Sequence, residues 1–597
     1  MKFPSLADIQ AALNQADLSG LPPLNISVLR NITMEPLEPY LRYLALELGL
    51  AAEIKLGGFD TVYQDAVGNP TDLLGPDTDC VLVFLRLEGL SPDLARNFAC
   101  LDADGLAAEE ARIAEHIKAV VEGIRSQSGA MILWHGFEPP VNPALGIYDG
   151  QTELGQSAVI ARLNDTLRRI MADTPNAYLV DMATCLLRLG AEGFYDQRLW
   201  HIGRIPYTRQ ALQVIAREEF KFIRPLLGRN KKCLVLDCDN TLWGGIIGED
   251  GISGIALGQS HPGSAFRELQ QEVVNLFHRG VIIALCSKNN PEDVWEVFDH
   301  HPDMVLRREH VAAFRINWQD KAANLRELAQ ELNIGLDSMV LVDDSEFEVG
   351  AVRRLAPQVE VIHLPVPDAV NHRDTLAGCG LFDTLTLSQE DRRRGRMYKA
   401  QVQRSSLKTR FQDMADYLDS LAMTAEVRLA DPVAIPRLAQ QTQKTNQFNL
   451  TTRRYSEADI QELAQARDSD VIYLRLGDRF GDSGIVGTCI LRYDQDRAVI
   501  DTLLMSCRAL GRGCEDLLLH QALTLARQKG CSLAVGQYYA TAKNAQVADF
   551  FARREFIEQP DTTTGADREF HLDLGREIPR PVVHFKSIAS EIGWPKP

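Results

Sequence analysis

The sequence predicts an α/β protein built from several domains, and three observations lead to this class. The chain has 597 residues, more than one ordinary domain contains. Short apolar runs alternate with segments of helical periodicity, the pattern of helices packed on mainly parallel sheets. The composition, 45% hydrophobic and 24% charged, is typical of folded chains and excludes disorder or a collagen-like structure.

Charge and cysteine content narrow the class further. The chain has 63 Lys and Arg against 81 Asp and Glu, a formal net charge of −18, which argues against a chain-wide surface for nucleic acid or anionic membrane. Its 11 cysteines are an odd number without a CxxC pair or a zinc-binding spacing. No apolar signal segment or membrane-spanning run is visible. We therefore expect a cytoplasmic protein whose partners include neither nucleic acid nor membrane.

Five regions follow from composition and periodicity. Region 1–228 alternates strands (25–30, 52–56, 80–87, 130–135 and 177–180) with amphipathic helices. A second α/β unit covers 229–367, and 368–410 is expected to be a helical linker with an arginine-rich stretch at 391–399. A third unit, 411–575, places strands before one strong helix, and 576–597 is expected to be a Pro-rich tail.

The second unit contains the clearest chemical signal. Asp237, Asp239 and Thr241 directly follow an apolar strand. Ligands of open parallel sheets bind beyond the carboxyl ends of the strands, where this loop must lie. Two carboxylates two residues apart suit Mg²⁺; one can attack phosphorus while the other transfers the proton of the leaving group.

Three later segments complete this constellation. A second apolar strand ends at Ser287, whose hydroxyl can bind a phosphate oxygen. Lys321 begins a helix and can balance phosphate charge, and a third strand ends in Asp343 and Asp344. Any one of these residues alone is commonly a helix cap, but four segments in this order predict a phosphoryl-transfer site.

The motif order DxDxT, Ser, Lys, DD resembles that of the haloacid dehalogenase (HAD) superfamily. The longer sequence 237–251 resembles the FkbH-like branch of this superfamily (subfamily IIIC). Members of that branch make glyceryl-acyl carrier protein for polyketide pathways. The resemblance implies a HAD-like Rossmannoid domain in which Asp237 is the nucleophile and Asp239 the general acid/base. It implies Thr241, Ser287 and Lys321 as phosphate-binding residues. It also implies Mg²⁺ held by Asp237, Asp239 and Asp343, supported by Asp344.

The spacing between Asp237 and Ser287 adds a prediction about access. Much of this segment is needed for a helix, so no room remains for a large cap domain. We expect a minimal cap and a site open to a large partner.

The third unit contains a glycine-rich turn between a strand and a helix. Arg508, Gly511 and Gly513 can turn backbone amides toward an anion at the helix N-terminus. With the strands before it and Asn544 after it, this order resembles the GNAT acyltransferase fold, an α+β domain. The resemblance implies that these four residues bind coenzyme A or the phosphopantetheine of a carrier protein. Segments 442–454 and 480–484 also resemble the FkbH-like family.

Two cysteines are candidates for a thiol that carries the acyl group. Cys507 precedes Arg508 and the glycines, where a cation and a helix N-terminus favour thiolate. Cys238, between the two aspartates, is the alternative acyl thiol. Alternation along an extended segment turns Cys238 away from those aspartates, so Cys507 is preferred. Either residue can also be a packed small side chain.

The first region resembles a degenerate SGNH-hydrolase-like (flavodoxin-like) domain. No Gly-Asp-Ser follows its first strand, and the late pair Asp196 and His201 is five residues apart instead of three. Asn31, Asn142, Asp196 and His201 can still bind a ligand, but the sequence does not support a hydrolytic triad. We expect a docking or scaffolding module.

The basic stretch 392–399 is interpreted as a solvated helix face or as a docking surface for an acidic acyl carrier protein. Charge reversal at Arg393 and Arg394 would test the docking interpretation.

Together these observations predict a bifunctional enzyme with a small phosphorylated acyl substrate. It takes an acyl phosphate such as 1,3-bisphosphoglycerate, removes phosphate with Mg²⁺, and loads the acyl group through an enzyme cysteine onto the phosphopantetheine of an acyl carrier protein. The alternative is a Mg²⁺-dependent phosphatase fused to a coenzyme A-dependent N-acetyltransferase acting on a sugar or amine. A non-catalytic scaffold is disfavoured by the intact aspartate series.

Overall fold

The structure is a computed structural model that describes residues 3–68, 73–387, 397–398, 400, 404, 407, 411–506, 508–541, 543–559, 567–578, 580–581 and 583–593. The chain divides into two compact units, Met1–Arg224 and Pro225–Pro597. In the described ranges, every helix is too short or too polar to span a membrane.

The first unit contains one parallel sheet. Its strands are β1 (Pro23–Arg30), β2 (Ala51–Phe59), β3 (Cys80–Phe84), β4 (Met131–His135) and β5 (Ala177–Val180), in the order β2-β1-β3-β4-β5. Every residue of β3 and β4 is buried, because helices cover both faces of such a sheet. The strand order is that of flavodoxin-like folds.

The helices of this unit bury apolar stripes against the sheet. The longest, α6, buries Ile113, Ile117, Val121 and Ile124, which recur at helical spacing. The helices are α1 (Leu6–Gln15), α2 (Glu38–Glu47), α3 (Val62–Val67), α4 (Leu87–Leu90), α5 (Pro92–Ala95), α6 (Ala103–Gln127), α7 (Gln156–Asp173), α8 (Met182–Leu187), α9 (Gly190–Phe194), α10 (Gln197–Gly203) and α11 (Arg209–Leu226).

The second unit begins with another parallel sheet, here called the central sheet. It contains β6 (Cys233–Leu236), β7 (Ile282–Ser287), β8 (Val311–Ile316), β9 (Met339–Asp343) and β10 (Glu360–His363), in the order β10-β9-β6-β7-β8. Its helices are α12 (Ile247–Gly254), α13 (Gly263–His278), α14 (Pro291–His300), α15 (Lys321–Leu332), α16 (Glu346–Leu355) and α17 (His372–Ala377). Between β6 and β7 the chain forms only α12 and α13, which confirms the minimal cap.

A mixed sheet of eight strands, here called the third sheet, completes the second unit. It contains β11 (Met423–Leu429), β12 (Ser469–Asp478), β13 (Gly481–Asp494), β14 (Arg497–Met505), β15 (Leu533–Tyr538), β16 (Ile557–Glu558), β17 (Arg568–Asp573) and β18 (Phe585–Ser590). The order is β16-β17-β15-β14-β13-β12-β11-β18. Its helices are α18 (Met414–Ser420), α19 (Ile435–Lys444), α20 (Glu457–Gln465) and α21 (Cys514–Gln528).

These three sheets confirm the multidomain α/β class, and two regions differ from the simple expectation. The tail contributes β18, which pairs in parallel with β11 at the edge of the third sheet. Within the linker, Tyr398 packs into the core of the central sheet, and Arg404 pairs with Asp478 of β12 at 2.6 Å. Tyr398 and Arg404 of the linker therefore each contact one of the two sheets of the second unit.

Candidate active sites

The predicted phosphoryl-transfer residues meet at the carboxyl edge of the central sheet. Strand β6 lies between β7 and β9, so Asp237, Ser287 and Asp343 end three adjacent strands. Lys321 joins them as the first residue of α15, where the side chain of Asp320 caps the helix by accepting from the Ala323 N–H. Strand order alone therefore brings these segments together.

Lys321 is the electrostatic centre of this site. Its Nζ lies 2.7 Å from Asp237 Oδ1 and 2.6 Å from Asp343 Oδ2. Burial lowers the pKa of the ammonium, but the two carboxylates outweigh it and raise that pKa above its usual value. Lys321 therefore stays charged where a phosphoryl group would arrive.

Three carboxylates converge beside Lys321. Ligand oxygens of Asp237, Asp343 and Asp344 lie within 4.8 Å of one another. Burial, reinforced by the charge of Asp343, raises the pKa of Asp237 to about 7 and that of Asp344 to about 6. Crowded carboxylates with raised pKa values and only oxygen donors fit a hard divalent cation such as Mg²⁺.

The side chain of Asp239 is placed differently from the prediction. Instead of joining the three carboxylates, it accepts hydrogen bonds from Trp243 Nε1 at 2.9 Å and the Ile247 N–H at 3.1 Å on Oδ1. Asn289 Nδ2 donates to its Oδ2 at 2.9 Å. In the described residues, Asp344 takes the place in the acidic cluster that was predicted for Asp239.

Asn289 and Trp243 are site residues to which sequence reasoning assigned no role. Both hold the carboxylate of Asp239, and Asn289 also donates to Ser287 Oγ at 3.3 Å. The only sequence signal was their position, directly after β7 and in the loop after β6.

The two hydroxyls predicted to bind phosphate are both buried. The hydroxyl of Thr241 has no hydrogen-bond partner among the described residues, so it is available to a ligand or a water molecule. The hydroxyl of Ser287 lies between Asn289 and the thiol of Cys238.

The structure argues against Cys238 as the acyl thiol. Its side chain is fully buried in the apolar cluster beneath α13, with Leu236 and Trp243. Burial, with the nearby charge of Asp237, raises the pKa of this thiol well above its usual value. A buried, protonated thiol is a poor nucleophile, so this alternative is corrected to a packing role.

The turn of the third sheet is described on both sides of Cys507, which itself lies outside the described residues. Gly511 and Gly513 have φ values of 71° and 76°, the left-handed conformation that glycine tolerates best. The Gly511 N–H donates to Glu515 Oε1 at 3.3 Å, so the chain's own carboxylate uses this amide.

Arg508 follows Cys507 and is 4% exposed. Its side chain lines a cavity of about 330 Å³ that Ser506 also lines, whereas Gly511 and Gly513 do not. Arg508 therefore reaches a ligand-sized space, and the two glycines shape the turn.

Asn544 was predicted to bind pantetheine, and the structure corrects this. Its side chain is fully buried and donates to the carbonyl oxygens of Asn449 at 3.0 Å and Tyr539 at 2.9 Å. Its Oδ1 accepts from the Thr541 N–H at 2.8 Å. Because both ends of the amide are used within the chain, Asn544 has a structural role.

Asn544 fixes a segment that lies beside β14. Strand β15 pairs with β14 only as far as Ile500. Beyond that point Leu450 N–H donates to Leu503 O at 3.2 Å and Met505 N–H donates to Phe448 O at 2.9 Å. The segment Phe448–Leu450 therefore fills the gap that the diverging strands leave.

The candidate residues of the first unit do not form a hydrolytic triad. Asn31 exchanges two hydrogen bonds with the backbone of Arg86, and Asp196 caps α10 by accepting from the Leu199 N–H. His201 is exposed in the last turn of α10. Asn142 and Asp196 line a cavity of about 220 Å³, consistent with ligand binding but not with triad chemistry.

The basic residues of the stretch 392–399, including Arg393 and Arg394, lie outside the described residues. Carrier docking at this stretch therefore stays a prediction.

The similarities of this chain to known proteins come from solved structures. No protein-family model matches the chain, and no curated protein matches it. The N-terminal part of the protein BF1531 from Bacteroides fragilis, which contains a phosphatase domain complexed with Mg, is 28% identical with a TM-score of 0.57 and covers 64% of this chain and 100% of its own.

Two N-acetyltransferases each cover 25% of this chain. The ribosomal-protein-S18-alanine N-acetyltransferase of Escherichia coli is 13% identical over 94% of its length, with a TM-score of 0.20. The PaiA N-acetyltransferase of Thermoplasma acidophilum, in complex with coenzyme A, is 17% identical over 98% of its length, with a TM-score of 0.19.

The first similarity agrees with the geometry of the central sheet. The prediction of an enzyme with a phosphatase-like domain is confirmed, because the acidic cluster, Lys321 and the similarity coincide. The carrier protein, the acyl group and the FkbH-like branch are not part of this finding.

Proposed function

We propose that the chain is a Mg²⁺-dependent phosphatase and acyltransferase that makes an acyl thioester on a carrier protein. The observation that supports it most is the joining of Lys321 to Asp237 and Asp343 at the carboxyl edge of the central sheet. The proposed substrate is an acyl phosphate such as 1,3-bisphosphoglycerate, in keeping with the FkbH-like resemblance.

Phosphate removal follows from the roles of five side chains. An oxygen of Asp237 attacks phosphorus while the bond from phosphorus to the substrate oxygen breaks, and Asp239 gives that oxygen its proton. Water then cleaves the aspartyl phosphate, returning a proton to Asp239. Lys321 and the hydroxyls of Thr241 and Ser287 hold the phosphoryl oxygens.

Mg²⁺ held by Asp237, Asp343 and Asp344 would neutralise charge on the phosphoryl group.

Acyl transfer is proposed to use the thiol of Cys507. The thiolate attacks the carbonyl carbon of the acyl phosphate, a carbon–sulfur bond forms, and the carbon–oxygen bond to phosphate breaks with release of phosphate. The thiolate of phosphopantetheine then attacks the enzyme thioester, and the thiol of Cys507 is regenerated.

One observation favours a carrier protein over coenzyme A. Glu515 accepts from the Gly511 N–H inside the turn that would otherwise hold the diphosphate of coenzyme A. A second acid in the same first turn of α21, Asp516, is neutralised by an ion pair with Arg554. The carboxylate of Glu515 repels a diphosphate in this turn, which weakens the alternative of a coenzyme A-dependent N-acetyltransferase.

Intact mass spectrometry tests the proposal. The protein is incubated with 1,3-bisphosphoglycerate and Mg²⁺, and then with holo carrier protein. We expect an acyl adduct on the enzyme that moves to the carrier protein. Cys507→Ser should remove the adduct, whereas Cys238→Ser should retain it.

Two outcomes would count against the proposal. Absence of any adduct on enzyme or carrier, with normal hydrolysis of 3-phosphoglycerate, would leave a phosphatase without acyl transfer. Acetylation of small amines from acetyl coenzyme A would favour the alternative.

A further inference from the structure

The cavity beside Arg508 concentrates positive charge in an acidic chain. It lies between the third sheet and the amino edge of the central sheet, and its volume is about 330 Å³. Five cationic side chains line it, and the one carboxylate among the lining residues, Asp337, pairs with one of them, Lys543. The cations are Lys232, Lys444, Lys543, Arg437 and Arg508. In a chain of net charge −18, such a surface attracts a small anion.

The environment of Arg508 points to the same ligand chemistry. The guanidinium donates to Ser506 Oγ at 3.1 Å and to Met397 Sδ at 2.6 Å. Neither of these two partners carries a negative charge. A buried cation is costly without a counter-charge, and a phosphate in the cavity would supply one.

The nearby turn offers a weaker phosphate site. Glu515 uses the amide of Gly511, and Arg512 Nη1 lies 3.3 Å from the buried carboxylate of Asp478. Phosphate at the N-terminus of α21 would therefore meet one acid and find the nearest guanidinium engaged. In the cavity, four cationic residues remain besides the Lys543–Asp337 pair.

The geometry points to this cavity as the site that binds the phosphate of a small phosphorylated ligand beside the segment that contains Cys507. The ligand class is a phosphate ester or acyl phosphate, delivered as phosphopantetheine or as the acyl donor. The assignment of these two sources rests on the proposed function, whereas the preference for phosphate follows from the charges alone.

Isothermal titration calorimetry tests the inference, with small-molecule probes titrated into the full chain in the presence of Mg²⁺. Every protein sample carries Asp237→Asn, so that the phosphorylated probes are not hydrolysed. The probes are phosphopantetheine, pantetheine, 3-phosphoglycerate and glycerate. We expect at least one phosphorylated probe to bind about tenfold more tightly than its dephosphorylated counterpart. The probe that shows this preference identifies the source of the phosphate.

Lysine variants assign the preference to the cavity. Lys232→Gln combined with Lys444→Gln should reduce it about fivefold or more, since both ammonium groups are lost from the lining. Lys586→Gln, on the exposed side of β18, should leave it unchanged. Equal binding of both members of each pair would overturn the inference, as would a preference that survives in the double variant.

These outcomes separate the inference from the proposed function. A phosphate preference without any acyl adduct retains the anion site and rejects acyl transfer. An adduct on Cys507 without a phosphate preference retains acyl transfer and rejects the anion site.

Discussion

A charge imbalance governs the phosphatase site. Lys321 contributes one positive charge, while Asp237, Asp343 and Asp344 can carry three negative charges around it. In a buried setting this excess costs free energy unless protons or a cation reduce it. The raised pKa values of Asp237 and Asp344 express that cost, and a divalent cation would remove it.

Mg²⁺ binding should therefore weaken as the pH falls. The pKa of Asp237 is raised to about 7 and that of Asp344 to about 6, so below these values protons compete with the cation. The stability of the metal-free fold has a pH dependence that agrees with this expectation. A carboxyl group whose pKa is raised in the folded state stabilises the fold at low pH, and this stabilisation is lost as the pH rises through the folded-state pKa. We expect the Mg²⁺-induced rise in Tm to be larger at high than at low pH.

Differential scanning fluorimetry with Mg²⁺ or with a chelator, across this pH range, measures that rise. Asp344→Asn should weaken Mg²⁺ binding by about tenfold and remove the lower part of the pH dependence. A rise in Tm that does not change with pH would contradict the assignment of these carboxylates.

We expect Asn289 to position Asp239, the proposed general acid. Because its amide holds Asp239 Oδ2, Asn289→Ala should lower kcat for phosphate-ester hydrolysis by about tenfold, with a smaller change in KM. The pH profile of kcat should shift as well, which a purely structural defect would not cause. Asn290→Ala, one residue further along the loop, is the matched control and should change kcat less than twofold. An unchanged pH profile in Asn289→Ala would reject this role.

At the scale of elements, the strands that carry the site were predictable and the contacts between them were not. Strands β6, β7 and β9 are uninterrupted apolar runs, so their ends located Asp237, Ser287 and Asp343. Strand β18 lies at an edge, is largely exposed, and follows a Pro-rich segment, so local pattern favoured a strap.

Partners distant in sequence explain the remaining differences. Asn544 meets the carbonyl of Asn449 only because Phe448–Leu450 lies beside β14. Asn289 meets Asp239 only because β7 pairs with β6. Local periodicity does not contain such contacts.

Asn544 should therefore be needed for stability and not for ligand binding. Asn544→Ala leaves the buried carbonyl oxygen of Asn449 and the partly buried one of Tyr539 without their donor, at a cost of about 2 kcal/mol or more. We expect Tm to fall by roughly 4–8 °C, with Gln465→Ala, at an exposed position of α20, as the control. A variant with the Tm of the parent but weaker phosphopantetheine binding would restore the ligand role that the sequence predicted.

At the scale of the second unit, the two candidate sites lie at opposite edges of the central sheet. Asp237 follows β6 and Asp343 is the last residue of β9. In contrast, Lys232 and Ser338, which line the cavity beside Arg508, precede the same two strands. A strand of this length separates the two edges by about 15 Å. The two proposed reactions would therefore not share one cavity, and a shared intermediate would have to move between the sites on a flexible arm or by release.

If the two sites are separate, the proposed phosphate removal and acyl transfer should be independent of each other. The mass of the acyl adduct on the enzyme tests this independence. In Asp237→Asn the thiol of Cys507 should still react with 1,3-bisphosphoglycerate, but the adduct should keep the remaining phosphate ester because the central site no longer removes it. In Cys507→Ser no adduct should form, while hydrolysis of 3-phosphoglycerate should stay within about twofold of the parent chain. Two outcomes would instead mean that the two sites act as one: loss of the adduct in Asp237→Asn, or loss of hydrolysis in Cys507→Ser with an unchanged Tm. Substitutions at distant, independent positions should have additive effects.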